Sequence, residues 1–381
     1  MDLIHCVHLP AQGWTQPLPV HMDSPDTWVL AFGDRALLDT PGVLQDLAAS
    51  FPQSVLMGCS SAGEIADRQV GDGSISLAVT RFHGTHMRRA STPLADATQS
   101  AAAGQRLAAQ LPTEGLRAVF LLAGGVAVNG TDLLRGLAAA LPDGVAVSGG
   151  MAGDGSRFEK TWVLDDGQPR EHCVTAVGLY GPQLRIGHGC SGGWTEFGPE
   201  RRITRAQGNV LYELDGQPAL GLYKHYLGDL AAELPGSALL FPLSLRTQAG
   251  DPTVVRTILG IDEATQSMTF AGDMPEGSVT QLMRTNVDRL VSSAEDAAVQ
   301  ALHGLGTPGP VLALSVSCIG RRLVMGERTE EEVEAVVDAL PSGSVHAGFY
   351  SYGEFGPTPG CHTAELHNQT MTLTVFSEPA C

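Results

Sequence analysis

The sequence predicts an α/β protein made of two related mixed-sheet halves, in which strand-helix-strand units repeat and helices flank the sheets. Three observations support this fold class. A segment with a helix pattern, a proline and a later Gly-acid pair occurs three times. Short apolar runs precede and follow each copy, as strands would. Finally, 43% of the 381 residues are hydrophobic, which is enough for a large core.

Each copy of the repeat begins with an amphipathic helix pattern that ends at proline, a residue that cannot continue a helix. A short apolar run and a turn with a Gly-acid pair follow. From the proline to this glycine the distance is 11, 11 and 12 residues, for Pro52 to Gly63, Pro142 to Gly153 and Pro341 to Gly353. Such regular spacing indicates a repeated structural unit. The helix patterns cover Val43–Pro52, Leu133–Pro142 and Glu332–Pro341.

Apolar runs on both sides of each copy predict strands. The leading runs are continuous, which is typical of strands buried on both faces. Several of the trailing runs alternate, which is typical of half-covered strands. The leading runs are Thr27–Phe32, Ala118–Leu122 and Val311–Val316, and the trailing runs are Ser74–Val79, Val174–Leu179 and Met371–Phe376.

The stretch between the second and third copies predicts further elements and a domain boundary. Residues 184–194 predict a strand that enters a glycine-rich turn at residues 187–194. Asn209–Leu214 predicts another strand, and a helix is expected to start at Pro218, because proline suits the first helical turn. We expect a boundary close to this helix, with domains at residues 1–222 and 223–381.

The charge balance excludes two classes of partner. The chain has 23 Lys and Arg against 41 Asp and Glu, a net charge of −18. Nucleic acids and anionic membrane surfaces attract clustered cations, so neither is expected to bind. The first residues lack a secretory leader pattern, and no apolar run reaches the roughly 18 residues of a membrane span. Seven cysteines without a CxxC pair fit a reducing compartment, so a cytoplasmic protein is expected, of unknown oligomeric state.

The three Gly-acid turns are the first candidate site. Glycine lets a ligand approach backbone N–H groups, and the acid is a partner for a cationic or hydrogen-bonding ligand. Alternatively, glycine supplies a positive φ and the acid satisfies neighbouring amides. Tyr350 and Tyr352 would add aromatic walls beside the third acid. If the turns converge, the candidate ligand-binding residues are Cys59, Ser60, Ser61, Gly63, Glu64, Gly153, Asp154, Tyr350, Ser351, Tyr352 and Glu354.

Arg321 is the further ligand-binding candidate. Together with Arg322 it offers guanidinium donors to a carboxylate. Alternatively, the two arginines form a solvated pair ahead of an acidic helix.

A catalytic role is a weaker hypothesis. Cys59 or Ser61 would serve as a nucleophile only with a base beside it. The sequence has no GxSxG motif and no specific Cys/His pattern. We therefore expect no catalytic residue and no enzyme activity, with a Cys- or Ser-dependent hydrolase as the alternative.

Two of the twelve histidines are candidate haem ligands. His188 lies within the predicted glycine-rich turn, where glycines would leave room for a planar macrocycle. His367 is the second candidate, and it also forms a cluster with Cys361 and His362 that does not match a zinc spacing. The alternative for each is a surface or core histidine.

Several of these motifs together resemble the FIST sensory domains, with the N-terminal and C-terminal parts in tandem. The resemblance covers roughly residues 25–376 and rests on five motifs in order. The motifs are Gly58–Ile65, Gly150–Asp154, the segment from Phe197–Pro199 to Tyr223–Lys224, Ser317–Arg321 and Gly348–Glu354.

The resemblance implies an intracellular signal-input module that binds a small ligand such as an amino acid. Because the chain has no room for an output domain, it implies a stand-alone sensor that signals to a separate partner such as a histidine kinase. Gly187–Gly189 and Glu365–Thr370 are similar to a stand-alone subgroup that binds haem and senses nitric oxide. That subgroup makes haem a possible cofactor, with His188 and His367 as axial candidates.

Overall fold

The short apolar runs of the sequence form the strands of a mixed α/β fold, which confirms the predicted fold class. The computed structural model describes residues 1–248, 253–305, 309–357 and 363–379. Within them the strands are β1 (Asp2–Leu9), β2 (Gly13–Trp14), β3 (Thr27–Gly33), β4 (Val55–Ser60), β5 (Glu64–Ala66), β6 (Gln69–Gly71), β7 (Ile75–Arg81), β8 (His86–Pro93), β9 (Leu116–Ala123), β10 (Ala146–Met151), β11 (Val163–Asp165), β12 (Gln168–Arg170), β13 (Cys173–Tyr180), β14 (Arg185–Ser191), β15 (Thr195–Gln207), β16 (Val210–Leu214), β17 (Gln217–Pro218), β18 (Leu243–Arg246), β19 (Val254–Arg256), β20 (Ile258–Asp262), β21 (Ser267–Phe270), β22 (Val279–Arg284), β23 (Leu312–Cys318), β24 (Val345–Ser351), β25 (Gly353–Pro357), β26 (Ala364–His367) and β27 (Met371–Ser377).

The helices predicted in the three repeated segments and after Pro218 are present in the structure. Their ends differ from the expected ones by a few residues, as boundaries commonly do. The α-helices are α1 (Gly42–Ser50), α2 (Ser100–Ala108), α3 (Gly130–Ala138), α4 (Ala219–Leu227), α5 (Val287–His303), α6 (Ile319–Met325) and α7 (Glu330–Ala339). Among the residues described, no helix combines the length and apolarity needed to cross a membrane.

Three four-stranded units with the same topology form the centre of the molecule. In each unit a parallel strand pair is connected through helix, and two antiparallel strands complete the sheet. The connecting helices are α1, α3, and α6 with α7. The repeat in the sequence is therefore one structural unit used three times. The strand orders are β4-β3-β7-β1, β10-β9-β13-β8 and β24-β23-β27-β14.

Each unit donates a short hairpin to the sheet of another unit. The β5–β6 hairpin of the first unit pairs with β24 of the third. The β11–β12 hairpin of the second unit pairs with β4 of the first. The β25–β26 hairpin of the third unit pairs with β10 of the second. The donations form a closed cycle, so no unit has its complete sheet without the others.

A shared hydrophobic core lies between the three units. Trp28 of the first unit makes edge-to-face contacts with Phe120 of the second, at 5.5 Å between ring centroids, and Phe376 of the third, at 5.6 Å. Phe32 and Phe349 stack at 4.9 Å. All five side chains are buried. Aromatic burial at this junction stabilises the assembly of units rather than any single unit.

An additional sheet lies between β14 and α5 in the sequence, and we call it the inserted sheet (residues 195–284). Its strand order is β19-β18-β22-β15-β16-β21-β20, with β17 paired to β16. Together with α4 it encloses its own hydrophobic cluster, which includes Ile203, Tyr223 and Phe270. Three of the four sheets thus contain strands from both sides of residue 222. The predicted boundary at that residue stays a prediction.

The prediction of a glycine-rich turn at residues 187–194 is wrong for residues 187–191, which lie in a strand. Gly187, His188 and Gly189 belong to β14, which pairs along β27. The glycines serve helix packing, because α5 lies directly on them. A Cβ at Gly187 would lie 1.8 Å from the carbonyl oxygen of Ala301, and one at Gly189 would lie 1.9 Å from that of Ala297.

Candidate functional site

The three Gly-acid turns meet at the carboxyl ends of the parallel strands, and we call them the turn ring (residues 60–64, 151–154 and 350–354). Backbone hydrogen bonds connect each turn to the next. Ala62 N donates to the Tyr350 carbonyl at 2.9 Å, Gly153 N to that of Ser60 at 3.0 Å, and Tyr352 N to that of Met151 at 3.1 Å. The sequence-predicted turns are therefore brought together around one centre.

Protein atoms pack closely against two glycines of the turn ring. A Cβ at Gly63, where φ is +144°, would lie 2.6 Å from the Arg322 guanidinium. At Gly153 a Cβ would lie 2.9 Å from Ala62 N and from the Tyr350 carbonyl. These glycines are needed because the turns approach each other closely.

Asp154 satisfies backbone amides of the loop that follows it. One carboxylate oxygen accepts from Phe158 N at 2.9 Å, and the other from Glu159 N at 3.1 Å and Lys160 N at 3.0 Å. The Tyr352 hydroxyl also bonds to this carboxylate, and its ring stacks on Phe158 at 4.2 Å. Asp154 is fully buried, and these contacts match the structural alternative for the Gly-acid turns.

Glu64 and Glu354 are buried acids held by hydroxyl and amide donors. Glu64 accepts from the N and Oγ of Ser74 at 3.1 and 2.9 Å. Glu354 accepts from Ser351 Oγ at 2.7 Å and from the N and Oγ1 of Thr370 at 3.2 and 2.8 Å. Burial raises the pKa of each carboxyl to about 8, because desolvation disfavours the charged form.

Arg321 is at the centre of a buried ion-pair network. Its Nε and Nη2 donate to one oxygen of Glu332 at 3.1 and 2.7 Å, and both side chains are fully buried. The guanidinium also donates to the carbonyls of Gly192 and Leu290, each at 2.9 Å. Tyr350 donates to the second Glu332 oxygen at 2.6 Å. The guanidinium of Arg321 is therefore already hydrogen-bonded to groups of the protein itself.

The side chains of the first turn are engaged as well. Ser60 Oγ accepts from Trp162 N at 3.0 Å, and Ser61 Oγ accepts from Gly63 N at 2.8 Å. Cys59 is fully buried in β4, and burial raises the pKa of its thiol well above the ordinary value. A buried thiol with a raised pKa is a poor nucleophile. The ligand-binding role of the turn-ring residues and Arg321 stays a prediction.

The two candidate haem ligands both lie close to Gly356. His188 Nδ1 is 3.1 Å from Thr374 Oγ1, and burial lowers the pKa of the imidazole to about 3. Its Nε2 is buried without a hydrogen-bond partner among the described residues. His367 Nε2 bonds to the Gly356 carbonyl at 2.9 Å, and burial lowers the pKa of this imidazole too.

The surroundings of these histidines do not fit an axial haem ligand. A Cβ at Gly356 would lie 2.3 Å from His188 Nε2, so backbone covers the free nitrogen. A haem macrocycle would need the space that β25, the strand of Gly356, fills. Cys361 and His362, which the sequence groups with His367, lie outside the described residues.

A cleft of about 780 Å³ lies between the second unit and the inserted sheet. We call it the α3 cleft. One wall is α3, with Leu134 and Ala138, and the other is the β18–β19 pair, with Leu245 and Val254. Residues 363–366 also line the cleft. A second hollow of about 560 Å³ shares Leu134 and Ala138 with it.

Charged side chains lie at defined positions in the α3 cleft. Arg256 is buried in its wall, Arg135 is exposed on α3, and Asp273 lies between them. Asp273 accepts from Asn129 Nδ2 at 3.2 Å and forms an ion pair with Arg135 at 3.8 Å. None of these residues was predicted from the sequence as part of a site. The available signal was Arg256 itself, a charge within the apolar run Val254–Leu259.

Models of two protein domains match almost the whole chain. The FIST N domain matches residues 27–217, and the FIST C domain matches residues 219–357. An uncharacterized protein of Mycobacterium tuberculosis is 28% identical over 243 residues, which is 61% of this chain and 61% of the relative. One of Methanocaldococcus jannaschii is 25% identical over 208 residues, 51% of this chain and 39% of the relative. The aligned part thus spans about three-fifths or less of these relatives.

Among solved structures, the chain is similar to the cyanuric acid hydrolase from A. caulinodans. The TM-score is 0.36 and the sequences are 11% identical, with coverage of 93% of this chain and 90% of the other.

Proposed function

The chain belongs to the FIST family, whose domains imply a sensory role with a small ligand, and we propose that the ligand binds in the α3 cleft. The observation that carries this proposal is the contrast between two places in the molecule. In the turn ring, Gly63 and Gly153 leave no room even for a Cβ, whereas the α3 cleft has a volume of about 780 Å³. Pockets for small molecules typically measure about 300–1,000 Å³.

The position of the α3 cleft suits a sensor. Its walls belong to the second unit and to the inserted sheet, and the inserted sheet has a hydrophobic core of its own. A ligand that contacts both walls would therefore bias how the two bodies lie against each other. We propose that this change is read by a separate signalling partner, such as a histidine kinase.

We also propose that the protein acts by binding and not by catalysis. The hydrolase alternative needs an accessible nucleophile, but Cys59 is fully buried and Ser61 accepts a backbone hydrogen bond. Haem-based sensing of nitric oxide is the other alternative, and it would need β25 to move away from His188. Neither alternative is favoured by the surroundings of its key residue.

Thermal unfolding of the full chain with a panel of amino acids, nucleotides, short organic acids and haem tests the proposal. We expect at least one organic compound to raise the Tm, because binding to the native state alone adds about 2.7 kcal/mol at 100 times Kd. The compound should be recovered unchanged by mass spectrometry. For haem, a Soret band that is lost in His188→Ala or His367→Ala would favour the haem alternative.

A pair of tryptophan variants locates the site. Ala138 is exposed on α3 and lines the α3 cleft, so Ala138→Trp should fill it and weaken binding at least tenfold. Ala140 is equally exposed just beyond α3, and Ala140→Trp is the matched control that should bind normally. The proposal fails if no compound binds or if Ala138→Trp binds as well as the parent chain.

A further inference from the structure

Arg256 holds a fixed position in the wall of the α3 cleft. Its Nε donates to the Asp273 carbonyl at 3.3 Å, and its Nη1 donates to the carbonyls of Val255 at 3.2 Å and Leu366 at 3.1 Å. Gly272 lies against the guanidinium, since a Cβ there would be 3.0 Å from Nε. The side chain is therefore oriented before any ligand arrives.

These hydrogen bonds fix the position of the Arg256 guanidinium but do not neutralise its charge. Carbonyl oxygens carry no net charge, and no carboxylate within the described ranges comes within 4.0 Å of this guanidinium. Burial lowers the pKa of Arg256 to about 10, which leaves it cationic at neutral pH. A buried cation without a close counter-ion is unfavourable, so an incoming anion would gain a strong, charge-assisted bond.

The nearest acids of the α3 cleft are already engaged. Asp273 bonds to Asn129 and Arg135. Glu365 also has an interaction partner. Both acids act on Arg256 at longer range. An added anion with several charges would be repelled by these carboxylates, and an ammonium group on the ligand would find both of them occupied.

Besides its charged residues, the α3 cleft has several large apolar side chains in its lining. Leu134, Leu245, Val254 and Leu366 line it. Such a surface suits an aliphatic body of a few carbons, which gains roughly 0.8 kcal/mol per buried CH₂.

We propose that the α3 cleft binds a small aliphatic monocarboxylate whose carboxylate pairs with Arg256 and whose hydrocarbon part lies on the apolar wall. This inference rests on the proposed function, because it names the ligand class of the same site. It assigns Arg256 as the residue that selects for the acid group.

Calorimetric titration with three probes of the same carbon skeleton tests the inference. The probes are 4-methylpentanoate, its neutral amide 4-methylpentanamide, and L-leucine, which adds an ammonium group. With the parent chain we expect the carboxylate to bind at least 30-fold more tightly than the amide, and no more weakly than L-leucine. Equal binding of acid and amide, tenfold tighter binding of L-leucine, or no binding of the carboxylate at 10 mM would each overturn the inference.

Variants assign the effect to Arg256. Arg256→Gln should weaken carboxylate binding at least 30-fold and leave amide binding within threefold, whereas Arg117→Gln, at an exposed arginine of β9 outside the α3 cleft, should change both by less than threefold. If Arg256→Gln loses its native circular dichroism, Arg256→Lys keeps the charge and should retain most of the acid preference. An acid preference that survives intact in folded Arg256→Gln contradicts the inference. Binding of another ligand class in the α3 cleft, without carboxylate binding, would leave the proposed function standing.

Discussion

Glu64 and Glu354 place carboxyl groups in the interior of the protein at equivalent points of two units. Each is the acid of a Gly-acid turn, and each is held by serine or threonine hydroxyls and a backbone amide. Such neutral donors offset only part of the desolvation cost of the charged carboxylate. The protonated form is therefore favoured, and the pKa of each carboxyl rises to about 8. We therefore expect these residues to couple folding to pH.

Neutral variants should weaken the dependence of stability on pH. The folded pKa of about 8 lies above the ordinary value of 4.5, so between these values the native protein binds protons that the unfolded chain releases. The free energy of unfolding should then fall as pH rises from about 5 to 8. Glu64→Gln and Glu354→Gln should each reduce this slope by about 1.4 kcal/mol per pH unit.

Urea unfolding at pH 5.5, 6.5 and 7.5 measures this slope. Glu334→Gln, at an exposed position on α7, serves as the control and should keep the slope of the parent. Parallel pH profiles for the parent and both core variants would show that the buried carboxyls do not take up protons on folding.

At the scale of the elements, two glycines set the distance between α2 and α3. A Cβ at Gly104 of α2 would lie 2.3 Å from the Leu133 carbonyl oxygen, and one at Gly136 of α3 would lie 1.9 Å from that of Ala101. Both obstacles are backbone atoms, which cannot rotate away. Because α3 forms a wall of the α3 cleft, this crossing also positions the candidate site.

Gly136→Ala should force α3 away from α2. We expect a loss of about 3 kcal/mol in the free energy of unfolding, the upper part of the usual range for overpacking. Gly42→Ala is the matched control, since Gly42 is also helical and a Cβ there would have nothing within 4 Å. That change should be neutral or stabilise by up to about 1 kcal/mol. Equal stabilities of the two variants would contradict the close crossing.

The elements were largely predictable from local pattern. Proline stops, apolar runs and Gly-acid pairs predicted the repeated helix of each unit and the strands that lead and follow it, but not outer strands such as β1 and β8 or the short helix α6. The failure at residues 187–194 has a specific cause, because Gly187 and Gly189 make room for α5, which lies more than 100 residues later in the chain. A glycine in a turn and a glycine under a helix look the same in the sequence.

At the scale of the whole molecule, the closed cycle of donated hairpins makes the three units interdependent. Without the third unit, β5 loses its partner β24 and β10 loses its partner β25. Unpaired edges of this kind favour aggregation. The shared aromatic contacts of Trp28 would also be incomplete without Phe376.

A fragment of residues 1–181, which comprises the first two units, should therefore not fold alone. We expect aggregation in size-exclusion chromatography and no cooperative unfolding transition. The control is the full chain with a protease site introduced at the exposed Pro182–Gln183. This chain is allowed to fold first and is then cut at that site. The cut chain should elute as one species. A monomeric 1–181 fragment with a cooperative transition would show that the units fold independently.

For the candidate site, too, the sequence predicted one part and only the tertiary structure revealed another. The turn-ring residues were predicted as a site because their motif recurs in the sequence, and the structure does bring them together. A motif can recur, however, because each unit needs the same close packing, and not only because the copies share a ligand. Asp154 and Arg321 illustrate this, since both make several hydrogen bonds inside the protein. Arg256, which no repeat marks, is the buried arginine in the wall of the α3 cleft.

The sequence by itself determined the class of fold, the repeated unit and the family, because these follow from local periodicity and from motifs in a fixed order. Only the tertiary structure decided which strands pair between units, which glycines support close contacts and where an open cleft remains. These features depend on residues far apart in the chain, such as β5 with β24 or α3 with β19. Local pattern carries no record of such distant contacts, which arise only when the units pack.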